Sequence, residues 1–512
     1  MKILFLWLDI DTGFNHGANH GLAWIAGHLK SLGHEVVCHP ITKDGQLESV
    51  TKILKDYQPN VVGFSLTSCQ RRYLDYYADG LRKNHTGLII CGGIHSILDP
   101  ADILNCDAVD GVCFGEGEYP LALLGEHLDT KTSYMEVPSF WWKTNKGQDG
   151  DYQIVKNPIE PLVEDLSKLT LPDYSVFDLK KLHKALNGFA EIMISRGCPY
   201  SCTYCCNDAI KSCYPKDSKY FRILAPDIAV DLLVQYKNNF PEISGFHFDD
   251  DLFTWNKKWV KAFCADYTSR IGLPYHCNGK FELIQSEEII RYLKNSGCKL
   301  LRFGLESGNE HYRKTHLKRY HSNEKIFNAA RLMHKEGLKF FTFNIFGFPM
   351  ETKEMMNETI TINKKIRPSS GQAYFFYPFV NTELYNYCRD NGLLNVEDMD
   401  GVSGYRERPV IKLTHCTEKE CISAQQDLLL FFLARRLSTI LGMKHVIFEK
   451  IIHWLLMLRP SLFVSILTKE NYLKKALRKI QYAYFARGQA STSLPMGNPL
   501  ESTCSPPTSN SS

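Results

Sequence analysis

The sequence predicts an α/β protein with two successive parallel sheets and a helical C-terminal region. Residues 1–128 and 191–394 alternate short apolar runs with helical patterns, the order expected of βα units. After Asn395 the strand signal fades, and the apolar residues follow a helical period to about Arg487. The 512 residues give room for roughly three domains of about 150 residues each.

The first stretch, residues 1–130, contains five predicted strands and four predicted helices. The strands are expected at Ile3–Leu8, Glu35–Cys38, Val61–Leu66, Leu88–Cys91 and Gly111–Phe114. The helices are expected at Leu22–Leu32, Val50–Tyr57, Arg71–Leu81 and Tyr119–Leu128. This alternation predicts a flavodoxin-like, doubly wound parallel sheet with helices on both faces.

Ligands of such sheets bind beyond the carboxyl ends of the strands. In this chain those ends carry small and polar residues, which allow a ligand to approach the backbone closely. They are Ser65, Thr67, Gly92, Gly93, Gly115, Glu116 and Gly117. For any single glycine in this set, a tight turn without a ligand is the alternative explanation.

A linker and a second α/β domain are expected next. Residues 131–185 are predicted to be an irregular linker, because prolines and glycines interrupt any period. Residues 186–395 supply six βα units, which predicts a partial, open barrel, because a closed eight-fold barrel needs about 250 residues. Its strands are expected at Ile192–Ser195, Gly245–Phe248, Pro274–Cys277, Lys299–Phe303, Phe340–Ile345 and Ala373–Tyr377.

A CxxxCxxC motif, formed by Cys198, Cys202 and Cys205, follows the first predicted barrel strand. A four-iron cube takes one ligand on each iron, so three thiolates leave one iron open for another molecule. Zinc is an alternative, although structural zinc sites usually show a second Cys or His pair, and none follows here. A chance cluster among the seventeen cysteines is a further alternative. The expected position at the barrel mouth, where barrel enzymes act, favours the iron-sulfur cluster.

The segment from Arg196 to Cys205 resembles the signature of radical S-adenosylmethionine (SAM) enzymes. In that family the three cysteines hold a 4Fe-4S cluster, whose open iron binds the amine and carboxylate of SAM. The resemblance implies that Tyr204 packs near the adenine ring. It does not name a catalytic residue in this chain.

Three later segments resemble the same family in the same order along the chain: residues 246–253, 302–308 and 344–349. A fourth, residues 377–385, resembles the element that closes the barrel, with Asn381 where the family has glycine. Asn tolerates the left-handed backbone that glycine serves, so the turn is expected to survive. The implied SAM contacts are Asp249 and Asp250 at the amine, Glu306 and Ser307 at the ribose and carboxylate, and Phe346 and Gly347 at the adenine.

The N-terminal domain resembles that of the cobalamin-binding subclass of these enzymes. Residues 92–95 are similar to its GGPH segment, and residues 110–118 are similar to its VxxGEGE segment. The resemblance implies that the seven strand-end residues bind cobalamin. The Asp-x-His-x-x-Gly motif of proteins that supply a lower histidine ligand is absent, so His16 and His20 are interpreted as loop or helix-start residues. A sheet that has lost cobalamin and only supports substrate binding is the alternative.

The two resemblances together imply an enzyme that cleaves SAM reductively and, with cobalamin, transfers a methyl group to an unactivated carbon or phosphorus centre. Radical cyclisation, oxidation or rearrangement are alternatives within the class. An iron-sulfur electron-transfer or binding protein is an alternative outside it, with Cys206 as the nearby fourth thiol. The expected partners are a small-molecule substrate and an external one-electron reductant of flavodoxin or ferredoxin type, and no nucleic acid is predicted.

The C-terminal region, residues 396–488, is predicted to be helical and basic. Eleven Lys and Arg stand against three Asp and Glu between Cys421 and Ala490. The apolar stretches 428–441 and 446–467 are interpreted as amphipathic helices, and their basic surface suggests either a solvated cap or contact with an anionic membrane. Residues 489–512 are expected to be disordered, and the absence of an export signal predicts a cytoplasmic protein.

Overall fold

The computed structural model describes residues 1–10, 17–146, 152–395, 399, 408–440, 450, 451, 453 and 454. A seven-stranded sheet organises the N-terminal part, and a curled six-stranded sheet organises the part that follows. Helices cover both sheets, and a long helix packs on the second one. The predicted α/β class is therefore confirmed.

The N-terminal sheet has the strand order β2-β1-β3-β4-β5-β6-β7. Its first five strands pair in parallel, and their order 2-1-3-4-5 is that of flavodoxin-like folds. The strands are β1 Lys2–Leu8, β2 Glu35–Ile41, β3 Val61–Ser65, β4 Leu88–Gly92, β5 Gly111–Cys113, β6 Phe140–Lys146 and β7 Tyr152–Lys156. The helices are α1 His20–Ser31, α2 Leu47–Tyr57, α3 Leu74–Arg82, α4 Ile94–Leu98, α5 Pro100–Leu104 and α6 Glu118–Thr130.

Strand β1 shows why this sheet needs helices on both faces. Successive side chains of a strand point to opposite faces, and nearly every residue of β1 is apolar and buried. Ile3 and Phe5 belong to the apolar cluster with α1 and α6. Leu4 and Leu6 belong to the cluster with α2 and α3. A continuous apolar run of this kind is stable only between two helical layers.

The segment expected to be an irregular linker contains a β-hairpin, so that expectation is wrong for β6 and β7. Strand β6 pairs antiparallel with β5, and β7 pairs antiparallel with β6, which extends the sheet by two strands. Phe140 and Trp142 are buried and stack with ring centroids 4.5 Å apart. Their spacing of two residues is the strand period. Residues 147–151, between the two strands, lie outside the described residues.

The second sheet has the order β15-β14-β13-β12-β11-β8, with every pairing parallel. These six strands lie side by side in the sheet in the same order as in the chain, which confirms the partial (βα)6 barrel. The strands are β8 Phe189–Ile192, β11 Gly245–Phe248, β12 Tyr275–Gly279, β13 Cys298–Glu306, β14 Lys339–Phe346 and β15 Ser370–Phe375. The helices are α7 Leu179–Ala185, α8 Cys206–Ser212, α9 Pro226–Asn239, α10 Lys257–Arg270, α11 Glu287–Asn295, α12 Glu310–Thr315, α13 Asn323–Glu336, α14 Lys353–Ile366 and α15 Glu383–Asp390.

The first barrel strand ends earlier than the sequence predicts. Strand β8 stops at Ile192, and the backbone N–H of Ile194 donates to the Asp250 carboxylate instead of to a neighbouring strand. The chain then forms the short strand β9, Ser195–Arg196, which pairs antiparallel with β10, Arg222–Ile223. The segment before the cysteine motif therefore leaves the barrel and turns toward the N-terminal domain.

Helix α16, Glu418–Ile440, packs on the outside of the barrel. Cys421, Leu428 and Phe431 form an apolar cluster with residues of α14, β14 and β15. This position agrees with the interpretation of the stretch 428–441 as an amphipathic helix on the barrel. Within the described ranges, no helix is both long and apolar enough to cross a membrane. Most of the stretch 446–467, the basic residues after it and the tail 489–512 lie outside the described residues.

Candidate functional site

The three cysteines lie in the loop between β9 and α8, at the C-terminal mouth of the barrel. Cys202 is buried, Cys198 and Cys205 are half-buried, and all three are free thiols. The loop begins at Gly197, whose φ of +73° favours glycine and whose added Cβ would lie 2.6 Å from the Tyr220 carbonyl oxygen. At its other end the N–H of Cys205 donates to the Cys202 carbonyl at 3.0 Å.

A four-iron cube would take one thiolate of this loop on each of three irons. Within the described ranges, no three His, Cys, Asp or Glu side chains are arranged to hold a single metal ion. Burial raises the pKa of the Cys198 thiol to about 12, so metal loading is expected to release protons.

A buried arginine stands beside the cysteine loop. Arg319 is 5% exposed, and its Nη1 lies 3.8 Å from the Cys202 sulfur and 3.2 Å from the Tyr204 hydroxyl. The same nitrogen lies 3.7 Å from the Glu306 carboxylate. Its positive charge stabilises negative charge on the sulfur and the carboxylate. The sequence reasoning missed this residue, because a Lys-Arg pair in a polar segment is usually exposed.

Tyr204 and Glu306, two of the predicted SAM contacts, lie together. Burial raises the pKa of Glu306 above its ordinary value, although Arg319 and the Tyr204 hydroxyl favour the ionised carboxylate. Glu306 ends β13 with a φ of +62°, a left-handed conformation that is uncommon outside glycine. Phe348 packs against Tyr204 with ring centroids 5.7 Å apart. These side chains form one wall beside the cysteine loop.

Three other predicted SAM contacts have different surroundings. The side chain of Phe346 packs in the apolar cluster with α16, on the outer side of β14, while Phe348 two residues later contacts Tyr204. Gly347, between them, directly follows β14 and has a φ of +76°. Ser307 is fully buried, and its Oγ accepts from the N–H of Asn309 at 3.4 Å.

The two adjacent aspartates at the end of β11 have different neighbours. The Asp250 side chain is buried, and its Oδ1 accepts from Ile194 N–H at 3.0 Å and from Ser195 Oγ at 2.5 Å. Its Oδ2 has no hydrogen-bond partner among the described residues. Burial raises the pKa of Asp250 to about 6. Asp250 thus holds the chain that leads into the cysteine loop.

Asp249 connects the barrel with the N-terminal domain. Its carboxylate lies 3.4 Å from Arg302 Nη2, 3.8 Å from His247 Nε2 and 3.4 Å from His20 Nε2. Burial opposes ionisation, but these three partners hold the pKa of Asp249 below its ordinary value. His20 is the first residue of α1, as predicted, and its Nδ1 lies 2.9 Å from the Tyr174 hydroxyl. His16 lies outside the described residues.

A cavity of about 420 Å³ separates the carboxyl ends of the N-terminal strands from the cysteine-loop segment. All seven strand-end residues that the sequence singled out line this cavity, from Ser65 to Gly117. Phe5, Trp24 and Leu121 line it between the sheet and helices α1 and α6. The barrel contributes Met193, Arg196, Gly197, Ile210, Tyr214, Tyr220 and Arg222.

Glu116, one of these lining residues, is bound by two arginines of the barrel domain. Its carboxylate lies 2.6 Å from Arg222 Nη2 and 3.1 Å from Arg196 Nη1. Burial opposes ionisation of Glu116, but the two guanidinium groups hold its pKa below the ordinary value. The β5–α6 loop therefore contacts both the cavity and the strand before the cysteines.

This combination of a flavodoxin-like sheet, a six-stranded open barrel and a three-cysteine loop defines a two-domain cofactor enzyme. The family model of the radical SAM superfamily matches residues 192–361. The model of the B12 binding domain matches residues 10–125. Together they cover more than half of the chain, which is therefore a radical SAM enzyme with an N-terminal B12 binding domain.

Two relatives align with most of the chain. The uncharacterized methyltransferase PH0819 of Pyrococcus horikoshii is 25% identical over 434 residues, which are 82% of this chain and 90% of that protein. Cytidylyl-2-hydroxyethylphosphonate methyltransferase of Streptomyces wedmorensis is 23% identical over 431 residues, which are 74% of this chain and 79% of that protein.

Two solved structures share the fold. The cobalamin-dependent SAM radical enzyme OxsB, with aqua-cobalamin and SAM bound, matches with a TM-score of 0.67 and 15% identity, over 94% of this chain and 75% of that chain. The radical SAM methyltransferase TsrM from Kitasatospora setae, with cobalamin and a 4Fe-4S cluster bound, matches with a TM-score of 0.63 and 15% identity. That match covers 76% of this chain and 75% of that chain.

The raised pKa of Asp250 predicts a pH dependence of stability. Its pKa of about 6 lies above the ordinary 3.8, so the folded state binds more protons, and stability is lost as the pH rises from 4 to 6. Asp250→Asn keeps an acceptor for Ile194 and Ser195 but cannot ionise. Between pH 4 and 7, the free energy of unfolding of the apoprotein should therefore fall by about 2 kcal/mol less in this variant than in wild type.

Urea unfolding of both proteins at several pH values checks this expectation. Asp227→Asn, which changes an exposed carboxylate at the start of α9, is the control and should follow the wild-type profile. A wild-type profile in Asp250→Asn would show that Asp250 is ionised without cost in the folded protein.

Proposed function

We propose that this enzyme uses a 4Fe-4S cluster, SAM and cobalamin to transfer a methyl group to an unactivated carbon or phosphorus centre of a small molecule. One observation carries the proposal. The cavity lined by the B12-type strand ends also contacts the segment that leads into the three-cysteine loop. A ligand on the N-terminal sheet would therefore lie beside the cluster loop, as a reaction that uses both cofactors requires.

Cys198, Cys202 and Cys205 would hold the cluster. They are free, they share one loop, and that loop is held by Gly197 at one end and by α8 at the other. With three protein ligands, one iron stays open for SAM, as a catalytic metal keeps an open position. Arg319, 3.8 Å from the Cys202 sulfur, would stabilise the negative charge of the loaded loop.

The wall formed by Tyr204, Glu306 and Phe348 would hold SAM. The two aromatic rings offer apolar surface to adenine, and the buried Glu306 carboxylate offers an acceptor to a hydroxyl or an ammonium group. We assign the adenine contact to the side chain of Phe348 and to the backbone at Gly347, because the Phe346 side chain packs against α16. Asp249, already bound by His20 and Arg302, would meet the SAM amine through its remaining acceptor capacity.

Cobalamin fits the strand ends of the N-terminal sheet. A Cβ added at Gly92 meets no described atom within 4 Å, so the space beside this backbone is open. At Gly93, with a φ of +94°, an added Cβ would lie 2.8 Å from the Leu66 carbonyl oxygen, so only glycine suits this turn. His20 lines the cavity, but its two ring nitrogens face Tyr174 and Asp249. The cofactor would thus be held by backbone and apolar contacts.

The cofactors, when bound, would supply the reactive groups, and the protein would supply their binding sites. Held by Cys198, Cys202 and Cys205, a bound cluster would supply the one-electron chemistry that cleaves SAM, and a bound cobalamin would supply the methyl-transfer chemistry. The chain contributes binding, orientation and exclusion of water by the apolar cavity lining. Methyl transfer is favoured among the radical outcomes because both aligned relatives are named methyltransferases. The electron would come from a flavodoxin- or ferredoxin-type reductant.

The role of the cysteines is tested by Cys198→Ala. Because a cube needs a thiolate on each of three irons, the variant should lose the cluster absorbance after anaerobic reconstitution and should release no 5'-deoxyadenosine from SAM. Cys213→Ala, which removes an exposed thiol at the end of α8, is the control and should keep both properties. Iron content equal to wild type in Cys198→Ala would contradict the assignment.

The cavity is tested by Gly92→Leu, which places a side chain in the open space without a backbone clash. Because overpacking costs about 1–3 kcal/mol, the Kd for hydroxocobalamin should rise roughly tenfold or more, while iron loading stays at the wild-type level. Gly92→Ala is the control and should bind nearly as wild type. Extracts incubated with methyl-labelled SAM should form a labelled product with wild type but not with Gly92→Leu. Unchanged binding by Gly92→Leu would place cobalamin elsewhere.

A further inference from the structure

Glu116, in the β5–α6 loop, and Glu118, the first residue of α6, form an ion-pair network with two arginines of the barrel domain. Arg196 lies between them, with Nη1 3.1 Å from Glu116, while its Nη2 donates to Glu118. Arg222 binds the other side of Glu116 through both terminal nitrogens, at 3.0 and 2.6 Å. Its Nη1 also donates to the Val163 carbonyl at 3.2 Å.

The network is largely shielded from water. The side chains of Arg222 and Glu118 are 2% and 5% exposed, and those of Arg196 and Glu116 are 13% and 25% exposed. Arg196 also lies over the indole ring of Trp24, with its guanidinium carbon 4.8 Å from the ring centroid. Two carboxylates and two guanidinium groups balance their charges. Removing one member leaves a buried charge without its partner, which is strongly unfavourable.

The arginines belong to the support of the cysteine loop. Arg196 is the last residue of β9, and only Gly197 separates it from Cys198. Arg222 lies directly opposite Arg196 in the antiparallel pair of β9 and β10. The network therefore holds both strands of this small ribbon against the N-terminal domain. A shift of the β5–α6 loop would move Arg196, and with it the first cysteine.

We propose that Glu116 and Glu118 are positioning residues for the cysteine loop, and that they couple occupation of the B12-type cavity to the conformation of that loop. This inference rests on the proposed function, because it takes the cavity as the cobalamin site. It revises the sequence-based role of Glu116, whose carboxylate is engaged by arginines of the barrel domain. Glu116 and Glu118 both line the cavity, so a ligand there contacts the network directly. By linkage, any effect of the ligand on the loop is matched by an effect of the loop on ligand affinity.

Hydrogen exchange of the apoprotein gives the first test. In the double variant Glu116→Gln, Glu118→Gln, amides of the segment 193–206 should exchange at least about tenfold faster than in wild type, because neutral amides do not balance the arginines. Exchange in the barrel strands β12 to β14 should stay unchanged. If the double variant folds poorly, the single variant Glu118→Gln replaces it, and its exchange should be intermediate between wild type and the value expected of the double variant. Glu126→Gln removes an exposed carboxylate of the same helix and should leave every segment as in wild type.

The second test adds hydroxocobalamin to each protein and measures both its retention and the exchange of the segment 193–206. Wild type and Glu126→Gln should bind it and gain protection in that segment. The double variant should bind it with protection of the strand ends of β3 and β4 but with little gain in the cysteine loop. A local, ligand-dependent difference of this kind is not expected from a general loss of stability.

The outcomes separate the two levels of the proposal. Equal protection of the cysteine loop in wild type and the double variant, with and without hydroxocobalamin, would overturn the positioning role and leave the proposed function intact. If the double variant lost hydroxocobalamin binding while loop exchange in its apoprotein stayed unchanged, the positioning role would be overturned. The two glutamates would then act by contacting the ligand directly. If wild type bound no hydroxocobalamin, the cobalamin assignment and the coupling would fail, while faster loop exchange in the apoprotein variant would retain the positioning role alone.

Discussion

The contact between Arg196 and the two glutamates at the start of α6 is the interaction on which the arrangement of the two domains depends. It joins a strand end of the N-terminal sheet to the strand that precedes the three cysteines. The cavity lies beside this contact, with strand ends on one side and the β9–β10 ribbon on the other. The network thus brings charged side chains of both domains together beside the cavity.

Other contacts hold the same interface from different directions. His20, at the start of α1, reaches the Asp249 carboxylate at the end of β11. Asn381 stands where the family has glycine, and its backbone is in the left-handed conformation. Its side chain donates to the Leu98 carbonyl at the end of α4. Within the barrel, the Asp250 carboxylate accepts hydrogen bonds from the segment between β8 and β9. The cysteine loop is thus supported from both domains, which suits a loop that must present its open iron in one orientation.

The sequence was sufficient for the fold class of both sheets and for the cluster motif, because both depend on local patterns. Short apolar runs, small residues at strand ends and the cysteine spacing are each visible within ten residues. The hairpin of β6 and β7 was missed because a glycine-containing polar segment suits a linker and a hairpin loop equally well. Only the packing of Trp142 against the sheet distinguishes them. The burial of Arg319 was missed for a similar reason, since its partners lie in other elements of the barrel mouth and the cysteine loop.

The direction in which side chains point was a second feature of the site that the sequence could not predict. Phe346 and Phe348 are both aromatic residues at the end of β14, and the sequence does not say which of them faces Tyr204. Likewise, Asp249 and Asp250 are adjacent, and only the structure shows that Asp250 supports the backbone of the cysteine segment. The ion pairs of Glu116 could not be predicted for the same reason, because its arginine partners follow it by 80 and 106 residues. Contacts between distant segments depend on the assembled domains.

In the proposed arrangement, the N-terminal cavity places cobalamin beside the cluster of the cysteine loop. Electron paramagnetic resonance of the protein loaded with both cofactors tests it most directly, by recording the cob(II)alamin signal with the cluster oxidised and then reduced. If the two cofactors are neighbours, the signal should broaden or split when the cluster becomes paramagnetic, and it should stay unchanged in protein without the cluster. An unchanged cob(II)alamin signal at full occupancy of both cofactors would rule out this arrangement.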